Sequence, residues 1–483
     1  MTDLHELSAL ALAAAIRGGL VSPTEVLDHT FARAARLDPQ VGAFVTLTPE
    51  LARAQAADAE RRLADAGEDR TGLPPFLGVP CPIKDLTMVA GVQMGAGSVA
   101  LRGFVPSVDD GVVTLLRDAG TLMVGKTNTP ELGLPPYTEP DIGPPARTPW
   151  DLTRSAGGSS GGAAAAVSAG IVPIAQGSDG GGSIRIPAAA CGLVGLKPSR
   201  GRVSPGPYAV DGAALATNGV LTRDVRDTAA ALDVLSRGWP GDTYRLPVPR
   251  VSFLDSCDRD PGPLRIGVLT EPIISPGAPV HPEYLVAVEW ASKLLGEMGH
   301  HLDVAPVPFP AERWEPFRDL WSVMAATAPI PPEAEELLVP LTRWMRERGR
   351  GVSGVVYASS VAAGQMVTRE AAVAWGGFDI ILTPSLAQPA SPIGSIRNDA
   401  DPAADFEAQM AFTPWTSTWN IIGSPAISVP LHWAPADEAD DGGPVLPFGV
   451  TLGARPGRED LLLALAAALE AAAPWSGRRP PIW

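Results

Sequence analysis

The sequence predicts an α/β protein that is built around a mixed β-sheet. Short apolar segments with the length of buried strands alternate along the chain with longer segments of helical periodicity. Residues 264–269, 282–298 and 301–307 show this most clearly, as the strand, helix and second strand of one crossover unit. Hydrophobic residues make up 45% of the chain and are spread along it, which supports a globular core despite 51 glycines and 51 prolines. Such an alternation is typical of the α/β class.

Composition and charge argue against several classes of function. The 483 residues include 37 Lys and Arg and 53 Asp and Glu, a net charge of −16, so we expect no binding to nucleic acid or anionic membranes. The start of the chain lacks a basic segment and no run of about 18 apolar residues occurs, so we expect neither a secretory signal nor a membrane span. Cys81, Cys191 and Cys257 form no disulfide framework, which favours a cytoplasmic setting. The six histidines show no metal spacing, and we expect no metal and no cofactor.

Helices dominate the first part of the chain, residues 6–66. The stretch Ser22-Pro23-Thr24-Glu25 is a capping box with proline at the first helical position, and it predicts the start of a helix. Another helix is predicted over 49–66 and a short one over 110–119, which is followed by a buried strand over 121–124.

The remaining elements continue the alternation of strands and helices. Residues 238–263, rich in Pro, Gly and Asp, are predicted to form a surface excursion. Further helices are predicted over 163–170, 222–236, 312–376 and 459–473, and further strands over 171–175, 378–384, 425–430 and 448–452.

The strongest indication of chemistry is the stretch 177–187, with the sequence Gly-Ser-Asp-Gly-Gly-Gly-Ser-Ile-Arg-Ile-Pro. Each glycine in ordered structure costs roughly 0.5–1 kcal/mol relative to alanine, so such a run needs a use. Bare N–H groups beside the hydroxyl of Ser183 are the parts of an acyl-transfer site, with a nucleophile and a hole for the oxyanion. A flexible glycine turn without chemistry is the alternative.

Lys84 lies in an apolar stretch between Val79 and Met88. One interpretation is a lysine that reaches solvent or pairs with Asp85. The other is a lysine that is buried so that its pKa falls below the ordinary value of about 10.4. The residues around it leave both open.

Two further motifs resemble sites of other enzyme classes. Residues 120–127 fit the phosphate-loop pattern G-x-x-x-x-G-K-[ST], but a strand is predicted at its variable positions and no helix follows, so we expect no nucleotide binding. Residues 157–161 fit the G-x-S-x-G elbow, which would make Ser159 the nucleophile of a Ser-His-Asp esterase. That elbow requires a strand running into the serine, and we predict no strand over 151–156.

These stretches together resemble the amidase signature family. The resemblance centres on residues 75–225 and extends over nearly the whole chain. It is carried by Gly78-Val79-Pro80 with Ile83-Lys84-Asp85, by Gly125 to Glu131, by Gly157 to Gly162, by Gly177 to Pro187, and by Cys191 to Pro198.

The resemblance implies a twisted mixed β-sheet sandwiched between α-helices. It also implies a single amidase domain over 1–483, with the signature core in 75–225 and a family-variable helical region in 264–376. Within the family, residues 200–207 and 458–462 are most similar to hydrolases of nylon-type oligomers, the 6-aminohexanoate cyclic dimer hydrolases.

The family's Ser–cis-Ser–Lys triad carries over to three residues of this chain. Ser183 matches the nucleophile, Ser159 the bridging serine that follows a cis peptide bond, and Lys84 the base. Neutral Lys84 would take a proton from Ser159, which would take one from Ser183. The oxyanion would be held by the backbone N–H groups of Gly180, Gly181, Gly182 and Ser183.

The resemblance says less about the substrate pocket. It places Gly133 at the site, and Trp415 and Trp419 are candidate walls, with loop anchoring as their alternative. Gly180 stands where the family usually has threonine, so we expect a wider pocket there. We expect a small amide, ester or carbamate substrate and therefore amidase or urethanase activity, in a monomer or homodimer. The alternatives are an amidotransferase subunit that is active only with partner chains, and the Ser-His-Asp esterase.

Overall fold

The computed structural model describes residues 3–210, 212–436 and 443–483. The helices are α1 Ala9–Arg17, α2 Pro23–Val41, α3 Pro49–Ala66, α4 Gly111–Asp118, α5 Gly161–Ser168, α6 Arg185–Cys191, α7 Val225–Leu235, α8 Phe253–Ser256, α9 Pro282–Glu297, α10 Glu315–Thr327, α11 Pro340–Gly351, α12 Gly354–Ala374, α13 Pro402–Phe412, α14 Thr416–Ile422 and α15 Glu459–Ala472. The strands are β1 Phe44–Leu47, β2 Ile83–Lys84, β3 Gly125–Thr127, β4 Arg147–Thr148, β5 Asp151–Ser155, β6 Ile174–Asp179, β7 Val194–Lys197, β8 Thr217–Thr222, β9 Arg265–Val268, β10 His301–Val304, β11 Ile380–Pro384, β12 Ala426–Pro435 and β13 Val445–Ala454.

The centre of the fold is an eight-stranded mixed sheet with the strand order β10-β9-β11-β13-β12-β7-β8-β6. Strand β9 pairs in parallel with β10 and β11, and the other neighbours pair antiparallel. The sequence β9–α9–β10 is the predicted crossover unit, because a parallel pair needs a connection that returns to the same end of the sheet. The predicted α/β class with a mixed sheet is therefore confirmed.

Helices cover both faces of this sheet. Successive side chains of a strand point to opposite faces. In β11, Ile380 and Leu382 enter the core that contains α7, α9 and α15, whereas Ile381 enters a second core with α10 to α14. A third core packs the alanines of α5 against β6 and β8. Among the described residues, no helix has the length and apolarity needed to cross a bilayer.

The N-terminal helices begin and end where local chemistry dictates. The Ser22 hydroxyl accepts a hydrogen bond from the Glu25 backbone, and the Glu25 carboxylate accepts one from the Ser22 N–H, which is the predicted capping box. Helix α2 stops at Gly42, whose φ of +61° is left-handed and suits glycine. Helix α3 has the predicted bounds.

Three predictions of local structure were wrong. The strand predicted over 171–175 lies closer to the glycine-rich stretch, where β6 spans Ile174–Asp179. Asp151–Ser155, expected not to be a strand, forms β5, a hairpin partner of β4 with Arg147 opposite Ser155. The mostly polar sequence of this segment does not indicate a strand, although the segment pairs antiparallel with β4. The strand predicted over 121–124 lies instead at Gly125–Thr127, because β3 is the segment that pairs with β1 and β2, whereas Leu122 makes only an isolated bridge.

Candidate active site

The glycine-rich stretch lies between a strand of the central sheet and a helix. Strand β6 ends at Asp179, the glycines form a loop, and α6 begins at Arg185. Gly182 has a φ of +134°, and a Cβ atom there would lie 2.7 Å from both Cβ and Oγ1 of Thr416. Only glycine therefore fits this position, because the loop passes directly against helix α14.

A buried ion pair fixes the shape of this loop. Arg185 Nε and Nη2 each donate to the Asp179 carboxylate at 2.9 Å, and both side chains are fully buried. Burial alone would raise the pKa of Asp179, but Arg185, Lys197 and the Asn420 amide outweigh it and hold that pKa at about 2. Asp179 is therefore ionised throughout the physiological range and acts as a fixed acceptor inside the loop.

Asp179 also binds the backbone of the loop. Its Oδ1 accepts a hydrogen bond of 2.8 Å from the N–H of Gly182, and its Oδ2 one of 3.2 Å from the N–H of Ile184. The N–H of Gly182 is thus engaged within the protein. Of the four predicted oxyanion donors, Gly180, Gly181 and Ser183 remain as candidates.

Lys84 lies at the end of the short strand β2 and is completely buried. Its Nζ is 2.8 Å from Ser159 Oγ and 3.1 Å from Ser178 Oγ. Burial lowers the pKa of Lys84 to about 7, although Asp179 opposes that shift. Of the two interpretations left open above, the structure has the buried lysine, and near neutral pH its amine holds a lone pair for proton transfer.

The two serines lie in neighbouring segments. The peptide bond between Gly158 and Ser159 is cis, as the resemblance implies. The next N–H, that of Ser160, donates to the Ser183 carbonyl at 3.2 Å and ties the serine segment to the glycine loop. Among the described residues' hydrogen bonds, none joins the hydroxyl of Ser159 to that of Ser183. The structure thus joins Lys84 to Ser159 directly and places Ser183 on the adjoining loop.

Ser183 lines an open cavity with about 450 Å³ of space free of protein atoms, part of it continuous with solvent. One wall is a ladder of aromatic rings on and before α10: Trp314 stacks on Phe317 with centroids 4.8 Å apart, and Phe317 on Trp321 at 5.3 Å. None of the lining residues carries a charge. They are Leu134, Pro135, Pro136, Gly181, Ser183, Ile186, Ile274, Trp314, Phe317, Trp321, Phe406, Gln409, Met410, Thr413 and Ser417.

The three predicted pocket residues have different positions. Gly133 lies beside Ser159, because a Cβ atom there would be 3.2 Å from Ser159 Oγ. Trp415 and Trp419 are not among the residues that line the cavity. The Trp415 indole donates to the Glu271 carbonyl at 2.8 Å, and Trp419 stacks on Trp375 at 5.3 Å, so both anchor packing behind the site.

Sequence reasoning missed the residues that hold the loop from helix α14. Thr416 Oγ1 donates to the Gly181 carbonyl at 2.7 Å. The buried Asn420 amide donates to the backbone carbonyl and Oδ1 of Asp179 at 3.0 and 2.9 Å, and accepts from Arg185 at 2.8 Å. No local pattern marks these two residues. The aromatic wall did leave a signal, because residues 314, 317 and 321 recur at helical spacing on one face.

The expectation of a wider pocket at Gly180 was wrong. A Cβ atom on Gly180 would lie 3.0 Å from both Cη2 and Cζ3 of Trp321. The indole ring therefore packs directly against Gly180, and the missing side chain leaves no empty space there.

Neither motif of another enzyme class has the surroundings that its class requires. Lys126, the lysine of the phosphate-loop pattern, is buried on β3, where it pairs with Asp85 at 2.9 Å and donates to the Thr87 carbonyl. Strand β5 does precede the G-x-S-x-G motif, but it ends at Ser155, well before Ser159. Among the hydrogen bonds of the described chain, the Ser159 hydroxyl meets Lys84 and no histidine.

Comparison with known proteins identifies the family. A family model described as Amidase matches residues 25–463. The 6-aminohexanoate-cyclic-dimer hydrolase of Paenarthrobacter ureafaciens is 35% identical over 497 residues, covering 98% of this chain and 96% of that protein. The structure of a 6-aminohexanoate cyclic dimer hydrolase complexed with substrate has a TM-score of 0.90 at 33% identity over 100% of both chains. A bacterial aryl acylamidase has a TM-score of 0.85 at 26% identity over 98% of this chain and 99% of its own. The chain therefore belongs to the amidase signature family and is a hydrolase of carbon–nitrogen bonds in amides.

Proposed function

We propose that this amidase cleaves small, uncharged, largely apolar amides through an acyl-enzyme on Ser183. The observation that carries the proposal is the buried amine of Lys84, 2.8 Å from Ser159 Oγ, on the segment that adjoins the Ser183 loop. Burial holds the pKa of Lys84 at about 7, so a large fraction of the amine is neutral at physiological pH and accepts a proton.

Acylation proceeds by a proton relay. When substrate binds, the Ser183 hydroxyl turns toward Ser159, a contact of the kind that often tightens only in the enzyme–substrate complex. Ser183 Oγ forms a bond to the carbonyl carbon while its proton passes to Ser159 and the Ser159 proton to Lys84. The tetrahedral intermediate then collapses: the C–N bond breaks, and the proton returns through Ser159 to the leaving nitrogen. The products of this step are the amine and the Ser183 ester.

Deacylation uses the same groups in reverse. Water gives a proton to the relay and attacks the ester carbonyl, and Ser183 leaves as its hydroxyl, so that a carboxylic acid is released. The oxyanion of each intermediate is held by N–H donors chosen from Gly180, Gly181 and Ser183. Each such donor typically contributes roughly 3–4 kcal/mol to the transition state.

The uncharged lining of the cavity supports the substrate class. A charged end group would lose its hydration there without a partner, which is costly. Stacked rings favour flat or apolar groups. Anilides and cyclic amides meet both conditions, and they correspond to the relatives named as an aryl acylamidase and a cyclic dimer hydrolase. Aryl esters and carbamates present the same carbonyl to the same serine, so esterase and urethanase activity belong to the proposal.

The chain acts without partner proteins in this proposal, as a monomer or a homodimer. The central sheet supports one domain over 1–483. Its strands β6, β7 and β8 belong to the signature core, and β7 is hydrogen-bonded to β12, which continues the same sheet to β13, β11, β9 and β10. Residues 238–263 are its surface excursion and 264–376 its variable helical region. The free cysteines support the cytoplasm as its compartment.

A panel of p-nitroacetanilide, an aliphatic amide, an aryl ester and an aryl carbamate tests the proposal. The purified single chain should release amine from the anilide, and Ser183→Ala should reduce kcat/KM by at least about 10³-fold. The matched control is Ser168→Ala, because Ser168 is equally buried but donates to the Cys191 carbonyl away from the cavity. Activity that survives Ser183→Ala would contradict the proposal, as would activity that appears only after partner chains are added.

A further inference from the structure

The contact between Gly180 and Trp321 has a functional consequence. The indole edge lies so close that a Cβ atom on Gly180 would meet two of its carbons at 3.0 Å, and the nearest other atom, Ala216 Cβ, lies 3.9 Å away. Carbon contacts of 3.0 Å are tighter than normal packing, so the indole or the loop would have to give by a few tenths of an ångström. A side chain at position 180 and the indole of Trp321 would therefore compete for the same space.

Trp321 has little freedom to move away from the loop. It is on α10, only 6% of its surface is exposed, and its ring stacks on Phe317 with an interplanar angle of 18°. Phe317 in turn stacks on Trp314, whose indole nitrogen donates to Ser417 at 2.9 Å. The ladder thus holds the edge of Trp321 in place beside the loop.

The position of Ser159 indicates where the amine part of the substrate lies. Ser159 must return its proton to the leaving nitrogen, so the amine part lies on the side of Ser159 and Gly133. The nitrogen and the acyl chain are attached to the carbonyl carbon in different directions. If the nitrogen lies toward Ser159, the acyl chain therefore extends away from Ser159. Gly181 of the glycine loop and Trp321 are both among the residues that line the cavity.

We propose that Trp321, seated in the space left by Gly180, sets the length of the acyl group that this enzyme accepts. The preferred substrates carry short or flat acyl groups, and long acyl chains are rejected by the indole edge. This inference rests on the proposed function, because it assigns the acyl side of the Ser183 site.

The test compares two substrate series on wild type and variants. The acyl series is the p-nitroanilides of acetic, butyric and hexanoic acid, and the amine series is acetamides of amines of increasing size. Trp321→Leu should raise the hexanoyl-to-acetyl ratio of kcat/KM at least about tenfold, the scale of discrimination that a few methylene groups provide in an apolar pocket. Gly180→Ala should lower that ratio, and the double variant should lie between the two single variants.

Controls separate the inference from the proposed function. Trp375→Leu removes a similarly buried tryptophan that stacks on Trp419 outside this cavity, and it should leave the ratio as in wild type. If Trp321→Leu does not fold, Trp321→Phe should give a smaller shift in the same direction. Suppose that hydrolysis depends on Ser183 but the hexanoyl-to-acetyl ratio of kcat/KM is the same in wild type and in both Trp321 variants. That result would overturn the inference alone, as would a change in kcat/KM that occurs only in the amine series. A wild type that hydrolyses no substrate, or does so without Ser183, would overturn the proposed function and the inference with it.

Discussion

Replacing the buried lysine of the site by methionine should abolish activity and stabilise the protein at neutral pH. Lys84→Met keeps an unbranched side chain that is one atom shorter, and it removes the titratable amine. In the folded protein, burial lowers the pKa of Lys84 from 10.5 to about 7. At about 1.36 kcal/mol per pH unit, this lowering corresponds to about 4 kcal/mol of folding free energy at pH 7, where part of the folded protein still holds the proton. The loss of two hydrogen bonds, to Ser159 and Ser178, offsets about 2 kcal/mol of this.

The sign of the pH dependence follows from the two states of Lys84. Between pH 7 and 10 the unfolded chain holds a proton on this lysine, whereas the folded chain loses it as the pH rises above about 7, so wild-type stability rises with pH. The variant lacks this term. Its advantage should therefore be about 2 kcal/mol at pH 7, fall by about 1 kcal/mol per pH unit, and vanish near pH 9. Lys197, also buried with a pKa of about 7, is present in both proteins and cancels.

Urea unfolding at pH 7, 8 and 9 measures this difference in the free energy of unfolding. Lys293→Met, on the exposed side of α9, is the control, and its stability should run parallel to that of wild type across the three pH values. A Lys84→Met difference that stays constant with pH would refute the reasoning, because it would mean that the lysine has the same pKa in both states.

Two further substitutions test the loop and the serine segment. Thr416→Val removes the hydrogen bond to the Gly181 carbonyl and should lower kcat about tenfold with little change in KM, whereas Thr416→Ser should restore kcat; equal kinetics for both variants would contradict a role for the hydroxyl. Gly133→Ala would place a Cβ atom 2.4 Å from Leu86 Cδ1 and 3.2 Å from Ser159 Oγ at a φ of +69°, so we expect at least about 1 kcal/mol lower stability together with slower anilide hydrolysis, and unchanged kinetics would argue against its place beside the triad.

Much of the framework could be predicted because its signals are local. The capping box at Ser22 and the strand–helix–strand unit of β9, α9 and β10 depend on neighbours in sequence, and both appear in the structure. The glycine-rich stretch was equally visible, since its composition reflects the close approach of Gly182 to Thr416.

The rest of the site depends on contacts that no local pattern encodes. Trp321 and Trp419 look alike in the sequence, yet one lines the cavity and the other lies against Gly453, where a Cβ atom would come within 1.9 Å of its ring. Asn420 carries no motif, although its amide binds both partners of the Asp179–Arg185 pair. The walls of this cavity are formed by elements that are distant in sequence. Most of their residues lie outside 75–225, where the family resemblance is centred, so that resemblance does not predict them.

The attachment of the Ser183 loop to α14 has a consequence for how the enzyme comes into being. Thr416 is 235 positions after the glycine whose carbonyl it binds, and Asn420 is 241 positions after Asp179. During synthesis, all three residues of the proposed relay leave the ribosome long before Thr416 and Asn420 are made. A nascent or prematurely terminated chain can therefore hold every catalytic group and still lack a working centre, so that hydrolysis begins only when the protein is nearly complete.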